Sequence, residues 1–180
     1  MESNNLLITQ NNRLKYKSNK VMIFDFRYQS LISEMKNILL AKGAYGIAAP
    51  QLGVMEQIIL VKNDEEIEVY FNPKIKKMYG LQFYYESCIS IPNKIGLVRR
   101  PYLIELEAKD QNGNYIHKIV EGFNAITMCH EIDHLNGILF IDRAIEVIDA
   151  NVSMMMKIRK ENPWKIIDKN KKFVYEKRNF

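Results

Sequence analysis

The pentapeptide HEIDH, residues 130–134, constrains this chain more than any other stretch. Its two histidines are two of only three in 180 residues. Spaced i and i+4, they share a face only if the segment is helical, and on that face they point at a common object. A metal ion is the object that suits two imidazoles. Glu131 lies about 100° further round such a helix. There it is placed to reach a water beside the metal rather than the metal itself, and a carboxylate so placed takes that water's proton. The bland alternative is a chance pentapeptide on a solvated helix face.

The chain around it is long enough for one domain with a real core, and residues 1–180 are expected to form a single catalytic unit. With 47% apolar and 26% charged residues the composition is that of a globular protein. No apolar run approaches the roughly 18 residues that span a bilayer. The N-terminus shows no basic segment leading into an apolar one, so the expected compartment is the cytoplasm and no membrane partner is expected. The net charge of +5 is uneven: residues 151–180 hold nine of the 26 Lys/Arg but only three of the 21 Asp/Glu. A solvated end accounts for this; the alternative is an anionic partner such as RNA. The notably basic stretch is confined to the tail, and no DNA partner is expected.

Periodicity predicts α+β. Leu31, Met35, Ile38 and Leu39 lie at helical spacing within 26–42, with Asp25 as a cap and Gly43 as a stop. The Gly/Ala-rich segment 43–53 reads as loop and short strand. Segments 57–62 and 67–73 read as a hairpin turning at Asn63-Asp64-Glu65. In 102–109 Ile104, Leu106 and Ala108 alternate with Glu105 and Glu107, and Asn112-Gly113 is a turn that pairs this strand with 114–120. A helix is expected over 123–136, N-capped by Asn124 and stopped by Gly137. A last helix is expected around 142–161, its SMMMKIRK stretch reading as core-facing methionine plus solvated base. The whole is antiparallel sheets packed around the HExxH helix, with a helix at each end.

Two histidines leave a site incomplete, because catalytic metals usually take three protein ligands and keep one place open. H-E-x-x-H is the zincin metalloprotease pattern. One zincin group needs a histidine where Phe140 stands. Another uses a downstream glutamate, for which Glu146 and Glu161 are candidates. Upstream, YYESCISIPNK (84–94) holds Cys88, a soft anionic ligand suited to a divalent transition metal, with Glu86 beside it to orient a neighbouring ligand. The other cysteine, Cys129, reads as a small buried apolar residue.

AYGIAAPQ (44–51), ESCIS (86–90) and HEIDH (130–134) resemble, in order and spacing, the three signature motifs of peptide deformylases. NNRLKYKSNKV (11–21), IPNKIGLVRRP and DQNGN extend the resemblance over about residues 6–145. It implies a metal-dependent hydrolase that removes the formyl group from the N-terminal formyl-methionine of new polypeptides and releases formate. Cys88, His130 and His134 would hold one divalent ion, Fe²⁺ in many members, with Zn²⁺, Ni²⁺ or Co²⁺ able to replace it. Glu131 would act as base and then acid. The Gln51 amide and the Ile89 N–H would face the oxyanion. Tyr45, Tyr84, Phe123, Ile126 and Thr127 would line the methionine pocket, Ser87 would border the cleft, and Gly46 would let the substrate backbone come close. Because such enzymes act on nascent chains, the basic 151–180 segment would dock on ribosomal RNA.

The chain departs from the family at several points. Ala44-Tyr45-Gly46 replaces G-x-G, with the first glycine displaced to Gly43. Ser87 replaces the glycine of E-G-C, Cys129 replaces a glutamine, and Ile95 stands where a basic residue is common, while Arg100 is in its expected place. These changes imply an altered peptide preference. Two other readings stand beside the enzyme: an inactive deformylase-like binder of formyl-peptides, which Ser87 and Ala44 would favour, and a zincin-type protease, which leaves Cys88 and Gln51 unexplained.

Overall fold

The computed structural model describes residues 12–63 and 66–172. Its elements in chain order are α1 (Gln29–Lys42), β1 (Gly46–Ala48), β2 (Ile58–Lys62), β3 (Ile67–Cys88), β4 (Ile91–Arg100), β5 (Leu103–Lys109), β6 (Tyr115–Glu121), α2 (Gly122–Leu135), the short α3 (Phe140–Arg143), β7 (Glu146–Asp149), α4 (Val152–Glu161) and β8 (Lys165–Lys172). The strands pair antiparallel in the order β1-β2-β3-β4-β7; β5 joins β3 and β6, and β8 adds to β3.

β2 shows how the core is built. Its run IILV is apolar at every position, which suits a strand buried on both faces. Ile59 and Val61 join the cluster with Ala125, Met128 and Cys129 of α2, while Ile58 and Leu60 join the cluster with Met35, Ile38 and Leu39 of α1. Helix α2 is thus wrapped by the sheet, and Cys129 is a core residue as expected.

Several expectations hold with adjustment. The first helix begins with a single turn at Phe26–Tyr28, whose N–H at Arg27 is capped by Asp25, and Gly43 ends α1 at φ 61°. The glycine displaced from the first motif therefore has a role of its own: it takes the left-handed position that closes α1. β5 and β6 pair from Lys109–Tyr115 to Leu103–Glu121 around a turn in which Gly113 has φ 84°. The β2–β3 hairpin forms with Lys62 opposite Ile67, although Asp64 and Glu65 of its expected turn lie outside the described residues.

Other expectations are corrected. Asn124 does not cap α2: the helix starts at Gly122, and the capping position is Glu121 in extended backbone without a side-chain bond. The single helix over 142–161 is broken in two. Ile145, Val147 and Ile148 bring β-branched residues together, and 146–149 pairs with β4 as strand β7. Asn151 then caps a new helix, its side chain accepting from the Met154 N–H at 2.9 Å. Beyond α4 the chain returns as β8 along β3, where Trp164 Nε1 donates to Gln82 Oε1 at 2.7 Å. No helix of the described residues is long and apolar enough to cross a membrane.

Candidate active site

Three elements converge at one point. β3 ends at Cys88, and the turn to β4 places Ile89 and Ser90 next to it. α2 brings His130, Glu131 and His134. The short turn after β1 brings Gln51. The ligand atoms of Cys88, His130 and His134 lie within 4.8 Å of one another, with Cys88 Sγ 3.3 Å from His134 Nε2. Neither downstream glutamate joins them: Glu146 accepts a short hydrogen bond from the Tyr85 hydroxyl, and Glu161 lies exposed beside Lys157.

The surroundings orient each group. Arg100, fully buried, donates to both oxygens of Glu86 at 2.7 and 2.9 Å and to Asp133 at 2.5 Å. Asp133 in turn takes two bonds from Arg143, at 2.6 and 2.7 Å. Glu86 Oε2 sits 2.8 Å from His130 Nδ1. Burial works against charge on Glu86, but Arg100 and the bonds from Arg100 and His130 overcome it and hold the carboxyl at about 2. Glu86 accepts from the Nδ1–H of His130, so Nε2 is the nitrogen that would meet a metal, giving up its own proton on binding. Burial, His130 and Arg100 push His134 well below its ordinary range, so it is a neutral imidazole, the form a metal binds.

A divalent cation fits this donor set. A thiolate and two neutral imidazoles make a tetrahedral set with one place open. Two buried polar atoms in the centre, Glu131 Oε2 and His134 Nδ1, have no hydrogen-bond partner among the described residues. Burial raises the Glu131 carboxyl to about 7, with His130 opposing.

Gln51 is fixed in one sense. Its Oε1 accepts from the Ala48 N–H at 2.8 Å, so the amide Nε2 must face Cys88 Sγ (3.6 Å) and Ser90 Oγ (3.1 Å). Gly46 has a second reason to be glycine. A Cβ there would lie 2.5 Å from Glu131 Oε1 and 2.8 Å from its carboxyl carbon. The room that the sequence reading assigned to a substrate backbone is also the room in which Glu131 sits.

A cleft of about 620 Å³ opens from this centre. All seven residues expected to meet the substrate line it: Tyr45, Gly46, Tyr84, Ser87, Phe123, Ile126 and Thr127. Phe123 takes Tyr45 and Tyr84 edge-on, with ring centres 4.9 and 5.3 Å away. The Thr127 hydroxyl is turned back to the Phe123 carbonyl at 3.2 Å, and Ile126 is buried at the pocket floor.

The sequence reading did not bring the last helix, α4, to the cleft. Val152, Met155, Met156 and Arg159 also line the cleft. In the sequence Arg159 reads as part of a solvated basic stretch. Instead its Nε donates to the Tyr85 carbonyl at 3.0 Å, its Nη2 donates to Ser87 Oγ at 2.8 Å, and its guanidinium lies over the Tyr84 ring at 5.5 Å. The only sequence signal was Ser87 itself, a departure in need of a partner.

The sequence pattern of the family described as polypeptide deformylase matches residues 3–149. The chain is 39% identical over 142 residues to peptide deformylase 2 of Clostridium acetobutylicum, covering 78% of this chain and 95% of that one. It is 36% identical to the peptide deformylase of Acetivibrio thermocellus, covering 83% and 86%. Among solved structures, the Thermotoga maritima peptide deformylase superposes with a TM-score of 0.76 at 26% identity, covering 78% of this chain and 97% of that one. The Synechococcus elongatus enzyme in complex with actinonin superposes at 0.75 with 30% identity, covering 87% and 84%. This chain belongs to the polypeptide deformylase family, metal-dependent hydrolases that take the formyl group from the N-formylmethionine of newly made polypeptides.

Proposed function

We propose that Cys88, His130 and His134 hold the one divalent ion of this deformylase, and that Glu131, Gln51 and the Ile89 N–H carry its reaction. The convergence of those three ligands beside Glu131, whose buried Oε2 has no partner among the described residues, carries the assignment. When bound, the ion supplies Lewis acidity and makes water nucleophilic near neutral pH. The chain's own groups do the rest. Glu131, buried beside the ligands, accepts the proton of the attacking water and returns it to the leaving amine. The Gln51 amide, locked by Ala48, aims a donor at the oxygen that becomes negative; such a donor is typically worth about 3 kcal/mol of barrier. Tyr45, Tyr84, Phe123 and Ile126 shape an apolar wall for the methionine side chain.

The ion we assign is Fe²⁺, the metal that the family resemblance implies; a thiolate with two imidazoles suits Zn²⁺, Ni²⁺ and Co²⁺ as well. The expected compartment is the cytoplasm, where a free Cys88 stays reduced. We also assign the basic C-terminal segment to contact with ribosomal RNA: in β8, Lys165, Lys169, Lys171 and Lys172 are all exposed. Replacing these four lysines by glutamine is expected to abolish salt-sensitive co-sedimentation with ribosomes. Undiminished co-sedimentation removes this assignment.

The central test is formate release from formyl-Met-Ala-Ser by protein purified without air. Wild type is expected to turn over, Glu131→Ala to lose at least about 100-fold, and Cys88→Ala to lose both activity and metal. X-ray absorption of the bound ion should show one sulfur neighbour that disappears in Cys88→Ala. An ion with no sulfur neighbour overturns the ligand set.

A further inference from the structure

The cleft carries an uneven set of charges. At its floor, Glu86 is neutralised by Arg100, and Glu131 belongs to the reaction. At its rim the charged residues are Lys42 and Arg159, both cationic. Arg159 is half buried and has no carboxylate partner among the described residues. It is held by a carbonyl, a hydroxyl and an aromatic face, none of which removes its charge. Arg159 therefore presents a held positive charge to whatever enters the cleft beside Ser87 and Tyr84. Its bonds to the Tyr85 carbonyl and the Ser87 hydroxyl use Nε and one Nη2 hydrogen, and the other end of the guanidinium, Nη1 with the second Nη2 hydrogen, is the edge that suits a carboxylate.

Its position says which carboxylate. Arg159 is bonded to Ser87, the residue next to the metal ligand Cys88. It also lies over Tyr84, whose ring touches Phe123 in the methionine wall. With the formyl group at the metal centre and methionine against that wall, the next residues leave along the rim. Successive Cα atoms are about 3.8 Å apart, so side chains one or two residues beyond methionine come within reach of the guanidinium. We propose that Arg159 determines specificity, selecting nascent chains that carry an acidic residue at the second or third position. The inference rests on the deformylase site assigned above. It also gives a physical reason for Ser87: its hydroxyl replaces a glycine's hydrogen and anchors an arginine from α4, an element beyond the stretch that matches the family.

The test compares formyl-Met-Glu-Ser and formyl-Met-Ala-Glu with their lysine counterparts by kcat/KM, with formyl-Met-Ala-Ser as the uncharged reference. Wild type is expected to prefer glutamate to lysine by about tenfold at low salt, falling towards twofold at 0.5 M salt as the rim charges are screened. The preference should vanish in Arg159→Met, persist in part in Arg159→Lys and reverse in Arg159→Glu. Reading the ratio within each variant cancels any general loss of activity. A wild-type ratio near one, or a ratio unchanged in Arg159→Met, overturns the proposal while formyl-Met-Ala-Ser is still turned over. Loss of turnover for every peptide, the neutral one included, overturns the underlying site assignment and this proposal with it.

Discussion

At the residue scale, single atoms decide what the centre can do. A Cβ on Gly46 would occupy the space of the Glu131 carboxylate, whose own helix is packed in place. Gly46→Ala is therefore expected to displace the carboxylate by about 1 Å and lower kcat by about 100-fold. Its melting temperature should fall by no more than about 4 °C, because the side chain rather than the backbone gives way. An unchanged kcat would show that Glu131 does not depend on this space. Glu86 acts on the metal through His130. Glu86→Gln keeps an acceptor but removes the charge that fixes the imidazole proton, and zinc affinity measured by equilibrium dialysis should drop about 10–100-fold. Equal affinity would make the Glu86–His130 bond incidental. Both residues were legible in the sequence, since they lie inside short motifs whose chemistry is local. The clash at Gly46 was not, because it depends on a helix some 80 residues later in the chain (Glu131 faces Gly46 across the fold).

At the scale of elements, local pattern and tertiary pairing compete. β3 runs for 22 residues, far longer than an ordinary strand. It accommodates changing partners through register shifts and two left-handed residues, Asn72 at φ 50° and Gly80 at φ 74°. The hairpin strand read from the sequence ends at Pro73, so its continuation to Cys88 was invisible. Asn72 tolerates its conformation because both ends of its amide are used: Oδ1 accepts from the Val21 N–H and Nδ2 donates to the Val21 carbonyl, each at 2.8 Å. Asn72→Ala loses both bonds and keeps the strained φ, and should cost about 2–4 kcal/mol in urea unfolding. Asn72→Gly loses the bonds but not the conformational fit, and should cost about 1 kcal/mol less. Equal losses would mean that backbone strain plays no part. The break at β7 has the same origin: helical spacing of apolar residues in 142–161 yields to three β-branched residues that find an edge on β4.

At the scale of the whole molecule, the segment after β7 folds back over what the three motifs build. Ser87 and Arg159, 72 positions apart, meet at the cleft, and no window of sequence contains both. β8 is the second return. Every residue of this strand is exposed, so its attachment depends on backbone pairing with β3 and on Trp164. The Trp164 ring lies against Gly122, the first residue of α2, and its N–H donates to Gln82. Gln82 is fully buried, and its amide also donates to the Pro101 and Gly122 carbonyls, at 2.7 and 2.9 Å. Removing the indole leaves Gln82 Oε1 short of its donor and uncovers that apolar contact. Trp164→Ala should therefore lower stability by about 2–3 kcal/mol, read as a shifted urea midpoint at unchanged slope. Its kcat for formyl-Met-Ala-Ser should stay within about twofold, because the ligand-bearing turns of α2 are pinned from the other side by Glu86, Arg100, Asp133 and Arg143. If kcat falls in step with stability instead, the start of α2 and the metal centre move together, and the tail is part of the catalytic frame rather than a brace on its outer edge.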